Sequence, residues 1–366
     1  MTRYDSVLVT GGAGFIGTAV VRRLLGLAAR ITIIDSLHPQ VHGSDPPLPE
    51  PLANVHLVRA DVRDISAVRQ TVTAVDPDLI IHLAAETGTG QSYDEASRYC
   101  DVNIMGTAIL AEALRAVSSR HARRRLVLAS SRAVYGEGAY VRHSGELVFP
   151  GPRTVKDMIE GKFVPQPEDD LCPVATPEWA PARPASVYAS TKLMQEYLLS
   201  QTLTDSPIEV VTLRLQNVFG SGQSLSNPYT GVLSIFSKQA LSGSELDIYE
   251  DGDIVRDFVH VSDVASAILA AAAATEVPVS PVNIGSGVAS TMAVVAQRLL
   301  THLGASPDAF RISGNFRPGD VRHAVADIKL ARSALAWTPL IDLDSGLREF
   351  SKWARDTLVQ TNERDG

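Results

Sequence analysis

The sequence predicts an α/β fold: a doubly wound parallel sheet of the Rossmann type, with a smaller C-terminal lobe. Three observations carry this. Apolar runs of strand length alternate with helical stretches from Ser6 to Arg214. The first run leads straight into the turn Gly11-Gly12-Ala13-Gly14-Phe15-Ile16-Gly17. Past Asn217 the alternation breaks, so the chain leaves the sheet, builds a second lobe, and returns around Phe258 and 282–284.

The first strand, expected at 6–10, has the length and β-branched content of a strand buried in a parallel sheet. Gly11, Gly14 and Gly17 then allow a tight turn, close approach of backbone to a pyrophosphate, and close packing of helix on strand. A helix over 15–27, opening on Phe15 and Ile16, would present its N-terminal amides and positive dipole end to those phosphates. The second strand, 30–34, ends at Asp35, whose carboxylate can accept from both hydroxyls of a ribose but would repel a 2′-phosphate. The spacing therefore predicts a dinucleotide, NAD rather than NADP.

Further strands are expected at 55–59, 79–83, 124–129 and 209–214. Two Pro-rich excursions stand out. Residues 38–51 read as a surface loop. Residues 138–184 are longer than a usual connection, with a helical patch near 155–160. The ends of this longer one, Gly136 and Tyr188, both lie at the expected active site, so a lid or an interface arm is expected, with a disordered decoration as the alternative. The domain reading is a dinucleotide-binding unit over 1–215 plus about 255–285, containing the inserted loop 138–184. Segments 216–254 and 286–366 form the other lobe.

Tyr188 and Lys192 are four residues apart, hence one turn apart on one helix face. A phenol with a pKa near ~10 is a poor base at neutral pH. A neighbouring ammonium, or the charged nicotinamide of an oxidised cofactor, would favour the phenolate. The strand at 124–129 leads into Ser130-Ser131-Arg132-Ala133-Val134-Tyr135-Gly136. Ligands of doubly wound sheets sit beyond the carboxyl ends of strands, where a serine can hydrogen-bond a reacting oxygen.

These motifs resemble the extended short-chain dehydrogenase/reductase superfamily over nearly the whole chain. The resemblance implies Ser131, Tyr188 and Lys192 as the catalytic set, the last two also touching the cofactor. It implies Asp61 and Val62, in Asp-Val-Arg-Asp, at the adenine edge, and Leu83, Ala84 and Ala85 after the fourth strand. Asn103, in Asn-x-x-Gly, is a further cofactor residue. In members that modify nucleotide sugars, Asn217, Arg256 and Arg317 would meet the diphosphate and Tyr249 the base. The chemistry suits them, because an arginine fork bonds phosphate oxygens bidentately and an aromatic face stacks on a pyrimidine. Taken singly, Arg256 beside Asp257 also reads as an ion pair, and Tyr249 as core.

Dehydratases of this superfamily carry an Asp-Glu pair after the serine or threonine, where this chain has Arg132-Ala133 or Ala133-Val134. Decarboxylases place Glu before Val-Tyr-Gly, where Ala133 stands. The remaining set suits transient oxidation at C4 of a sugar, the chemistry of a nucleotide-sugar 4-epimerase. Three stretches are most similar to dTDP-L-rhamnose 4-epimerases: His82 to Ser92 (with Thr87), Gln216 to Gly231, and Phe316 to His323. Arg132 is bulkier than the small residues common at its position and could contact or exclude part of the sugar. The rival readings are a nucleotide-sugar C4 ketoreductase, a UDP-hexose or uronate 4-epimerase, and a dinucleotide sensor without activity.

Composition agrees. The chain has 366 residues, 45% hydrophobic and 20% charged, with ample material for a core. A net charge of −8 argues against a nucleic-acid partner. The basic run Arg120 to Arg125 reads as the solvated end of a helix. Cys100 and Cys172 lack metal spacing, so no metal and a reduced, cytoplasmic setting are expected. The Ala-rich stretch 265–274 is too short to span a membrane, and no signal peptide is expected ahead of the first strand. Helices expected at 107–119 and 188–201 carry apolar residues beyond one stripe, and superfamily relatives pair such helices across a two-fold axis, so a homodimer is expected.

Overall fold

The computed structural model describes residues 3–43, 48–166, 169–225, 227, 231–278 and 280–365. Its centre is a seven-stranded sheet. In chain order the first five strands are β1 (Tyr4–Thr10), β2 (Ala28–Asp35), β3 (His56–Arg59), β4 (Leu79–His82) and β5 (Arg124–Ser131). Across the sheet the order is Val282–Ile284, Ile208–Leu215, β5, β4, β1, β2, β3, every neighbouring pair being parallel. Alternate residues of each strand face opposite sides. Val7 and Val9 of β1 therefore join one core with Val20, Ile33, Ile81, Val264 and Ile268, while Leu8 joins the other with Val68, Ile80, Leu110, Leu126 and Leu199. Burying such a side chain is worth about 1.5–3 kcal/mol, which leaves the register of β1 little freedom to slip.

The helix expected over 15–27 ends at Leu24, because Leu25 leaves helical geometry and Gly26 takes a φ of 84°. The helix expected from 107 runs Gly106–Ala116 and is entered through a π-helical turn, Cys100–Met105. The expected solvated basic run is corrected in part. Arg124 and Arg125 are buried at 1% and 5% exposure, since their guanidinium groups satisfy backbone carbonyls of Pro77, Leu114, Ala271 and Ala274. Their positions in a central strand fix that fate; Arg120 and Arg123 stay outside and pair with Asp5 and Glu209.

A third core fills the smaller lobe, with Phe219, Phe236, Ile248, Phe258, Leu299 and Phe350 among its members. The return at Phe258–His260 pairs with Asn217–Phe219 in a separate two-stranded sheet rather than with the large one. Helix Lys329–Leu335 and Trp337, grouped with the smaller lobe by sequence, pack on the sheet core through Ala331, Leu335 and the indole. The excursion 138–184 is a packed unit. Strands Ala139–Val141, Leu147–Val148 and Cys172–Val174 form an antiparallel sheet, and Tyr140 and Met158 are buried. Thr176 then bonds through its backbone to Val325 and Asp327 of the smaller lobe. Among the described residues no helix is long and apolar enough to cross a membrane, and no group of metal-ligating side chains occurs.

Candidate active site

The glycine turn is shaped for its role. Gly11 has a φ of 68°, and a Cβ there would lie 2.7 Å from the backbone nitrogen of Ala84. Thus Leu83, Ala84 and Ala85 come close because Gly11 lets β4's exit press against β1's, where Leu83 donates to the Thr10 carbonyl at 3.0 Å. A Cβ on Gly17 would strike the Gly11 carbonyl at 2.4 Å, so that glycine seats the helix on the turn. Gly14 is more open and ends the turn without a side-chain cap, which leaves the first amides of helix Phe15–Leu24 for an anion. Asp35 is 8% exposed and accepts from the Ala13 and Leu37 amides at 3.0 and 2.9 Å. Each carboxylate oxygen retains a lone pair for a ribose hydroxyl. The cradle and the acid fit NAD.

Farther along that cleft, Val62 is buried against Gly106, and Asp61 is held by Arg63 at 2.8 Å, a hydrogen bond that keeps its carboxyl below the usual range. Asn103 is fully buried. Its amide donates to the Glu86 carbonyl at 3.1 Å and the Thr191 hydroxyl at 2.9 Å, and accepts from the Glu86 amide at 2.7 Å. It therefore ties the exit of β4 to the helix of Tyr188 and Lys192. The π turn aims it there, since an extra residue per turn rotates this side chain off the regular helix face.

Helix Val187–Thr202, capped by the Ser186 hydroxyl on the Ala189 amide, carries Tyr188 and Lys192. Ser131, the last residue of β5, accepts from the Ala133 amide at 3.2 Å and lies close enough to Tyr188 for its hydroxyl to act on the phenol. Burial pushes the Tyr188 phenol up, while the Ser131 hydrogen bond and the Arg132 charge pull against it. Lys192 is 4% exposed, and burial brings it down to about 7 against the opposing field of Glu196. Among the described residues the cation acting on the phenol is thus Arg132. Its own pKa is drawn down to about 10 by burial and by Arg256, against Asp320 and Tyr188.

Of the residues expected to meet the sugar nucleotide, Arg256 lies near Arg132. Arg256 is 5% exposed and pairs with Asp320 at 2.6 Å. The exposed Arg317 lies 5.0 Å from the ring centroid of Tyr249. Asn217 has a buried side-chain oxygen with no hydrogen-bond partner among the described residues, an open polar position of the kind a ligand satisfies. The same holds for Gln216 Oε1 and His323 Nδ1, both on a small cavity beside Arg132, Tyr135 and Gly136. Thr87 is exposed, its carbonyl accepting from the Tyr99 hydroxyl at 2.7 Å. Ser226 and 228–230, within the second of the sequence landmarks, lie outside the described residues. A larger cleft at the amino ends of β1 to β3, lined by Arg30, His56 and Gln70, contains none of these groups.

The model of the family described as "NAD dependent epimerase/dehydratase family" matches residues 7–155 and 161–285. The chain belongs to that family. A dTDP-L-rhamnose 4-epimerase from Burkholderia thailandensis is 42% identical over 361 residues, 97% of this chain and 96% of that protein. Among solved structures, UDP-glucose 4-epimerase from Thermotoga maritima with UDP-glucose superposes with a TM-score of 0.76 at 27% identity, covering 96% of this chain and 99% of that one. UDP-glucose 4-epimerase from Thermus thermophilus in complex with NAD gives 0.75 at 29%, covering 95% and 98%. NAD is the cofactor of this family member, as the acid after β2 implies.

Sequence reasoning missed several groups around this family's site. Tyr99 packs edge-on against the Tyr188 ring, centroids 6.5 Å apart. Glu196 takes the Ser130 hydroxyl at 2.5 Å and the Arg214 guanidinium at 2.7 and 3.0 Å. Arg214 in turn stacks 4.7 Å from the ring centroid of Tyr135. The one available signal was helical spacing, which places Glu196 one turn beyond Lys192.

Proposed function

We propose that this NAD-dependent nucleotide-sugar 4-epimerase acts on a dTDP-6-deoxyhexose of the L-rhamnose type, with no net redox change. The observation that carries the reading is the set at the end of β5 and on the helix after the excursion. Ser131, Tyr188 and Lys192 support it, and neither Arg132-Ala133 nor Ala133-Val134, whichever takes the place of the dehydratase pair, supplies a carboxylate. The identity to the Burkholderia thailandensis enzyme, 42% across 97% of the chain, supports the substrate class.

In this reading Tyr188 removes the proton of the C4 hydroxyl and later returns it, and Ser131 holds that oxygen through both steps. When bound, NAD would supply the redox partner for C4, and its charged nicotinamide would favour the phenolate. Lys192 would hold the cofactor's ribose and add positive charge beneath the phenol. Arg256 would grip the diphosphate, sharing its guanidinium with Asp320, and Arg317 with Asn217 would complete that grip. Tyr249 would stack on the base. Helices Gly106–Ala116 and Val187–Thr202 would pair with their copies in a homodimer. Met105, Met194 and Tyr197 are 51%, 41% and 50% exposed there, apolar area that a partner would cover.

The test is to incubate the purified protein with dTDP-L-rhamnose deuterated at C4, with no added reductant. Epimerised product retaining the label is expected, and Tyr188→Phe should lower turnover by roughly 10²–10⁴-fold. Conversion only with stoichiometric added NAD(P)⁺, giving a 4-keto sugar whose deuterium has passed to the cofactor, would make the enzyme a C4 ketoreductase running in reverse.

A further inference from the structure

We infer that Arg153, carried by the excursion 138–184, is a positioning residue for the arms that hold the nucleotide diphosphate, and that the excursion is a fixed brace for them. The inference rests on the sugar-nucleotide reading of those arms given above.

Arg153 is 1% exposed in its side chain, yet it belongs to the proline- and glycine-rich stretch between strand Leu147–Val148 and helix Val155–Ile159. Every polar edge of its guanidinium is spent on a different part of the chain. Nε meets Glu137 at 3.0 Å, just past the Ser131 turn. Nη1 meets Glu250 at 2.8 Å and the Phe163 carbonyl at 2.9 Å, and Nη2 meets the Asp320 carbonyl at 2.8 Å. Glu250 directly follows Tyr249, and Asp320 is the partner of Arg256. One side chain therefore holds the carboxylate of the residue after the proposed base-stacking tyrosine and the backbone of the residue that pairs with the proposed diphosphate arginine.

The network closes on itself. Arg322 gives its amide to Glu137 at 2.7 Å and its guanidinium to Glu250 at 2.9 Å, so two buried glutamates are shared between two arginines. Glu250 also holds a φ of 55°, a conformation a non-glycine residue keeps only when its surroundings fix it. Removing a buried ion-pair partner leaves an uncompensated charge, which is why these contacts hold the arms in one geometry. A lid would have to break three hydrogen bonds of one buried guanidinium, to Glu137, Glu250 and Asp320, to open, whereas a brace needs no such step.

The experiment uses the full-length, NAD-loaded enzyme. Arg153→Met is expected to raise KM for dTDP-L-rhamnose at least tenfold and to weaken dTDP binding by a similar factor in calorimetry. Its kcat should stay within about threefold, with copurifying NAD unchanged, and Arg153→Lys should recover part of the loss. Since Arg153→Met strands two glutamates, the same measurements are made on Arg153→Met combined with Glu137→Gln and Glu250→Gln, which removes the stranded charge. That variant should melt within a few degrees of wild type and still show the KM effect. Wild-type KM and dTDP affinity in either folded variant would overturn the inference. So would a loss shared equally by kcat, NAD content and dTDP binding, the mark of a merely structural residue. Wild-type protein that binds neither dTDP nor UDP would overturn the sugar-nucleotide reading itself, and this inference with it.

Discussion

Lys192 and Tyr188 both have their titrations displaced by burial, the lysine down to about 7 and the phenol upwards. Each neutral form is favoured, and the charges that oppose this come from residues whose own places are fixed. Glu196 lies one turn beyond Lys192, clamped by Arg214 and Ser130, and its field raises the lysine. Glu196→Gln can keep the bonds from Ser130 and Arg214 Nε on its one oxygen, loses the one from Arg214 Nη2, and deletes that field, so Lys192 loses its proton at lower pH. The alkaline fall of kcat/KM, which reports groups in the substrate-free enzyme, is expected to move to lower pH. An unmoved profile in a folded variant would remove Glu196 from the control of Lys192. The spacing of Tyr188 and Lys192 was legible because it lies within five residues of one helix. The partners of Glu196 were not, because Ser130 is 66 residues away and Arg214 comes from another strand.

Elements were legible where burial dictated composition. The strand of β1 expected at 6–10 proves to be Tyr4–Thr10, and that expected at 209–214 proves to be Ile208–Leu215, since apolar runs in a sheet covered on both faces end where the cover ends. The π turn Cys100–Met105 was not legible, because its apolar positions differ from α periodicity by a single residue and Asn103 has no local partner. The sheet within 138–184 was hidden for a similar reason. Its strands have two or three residues each, too few to show alternation. On helix Val187–Thr202 the half-exposed Met194 and Tyr197 lie apart from the buried Lys192, Gln195, Glu196 and Leu199. A charge placed on that outer face would be desolvated by a partner helix but tolerated by a monomer. Met194→Glu is therefore expected to shift the light-scattering mass at micromolar concentration from dimer to monomer with little change in monomer fold. A wild-type protein already monomeric under those conditions would refute the pairing.

At the scale of the molecule, the two sheet cores are joined through a polar seam between β1, β4 and the helices at their exits. His82 is 1% exposed and sits at its centre, with Nδ1 2.6 Å from the Thr10 hydroxyl and Nε2 2.9 Å from that of Thr107. Gln195 donates to the same threonine at 2.7 Å. Burial, with a smaller push from Lys192, lowers His82 from 6.5 to about 3. The unfolded chain therefore binds a proton here that the folded chain refuses, and stability is lost as pH falls from the unfolded value towards the folded one. A shift of this size is worth on the order of 5 kcal/mol at most when fully expressed. Buried carboxylates such as Glu137 and Asp257 are raised by burial and work in the opposite sense, gaining their protons first in the folded state. The His82 share is separated from theirs by comparison with His82→Asn, which keeps a polar group between the two threonines but cannot titrate. Wild type is expected to exceed the variant in melting temperature most at pH 7 and by progressively less down to pH 4. A gap that stays constant across that range would mean that the imidazole is not what the acid limb of stability reports.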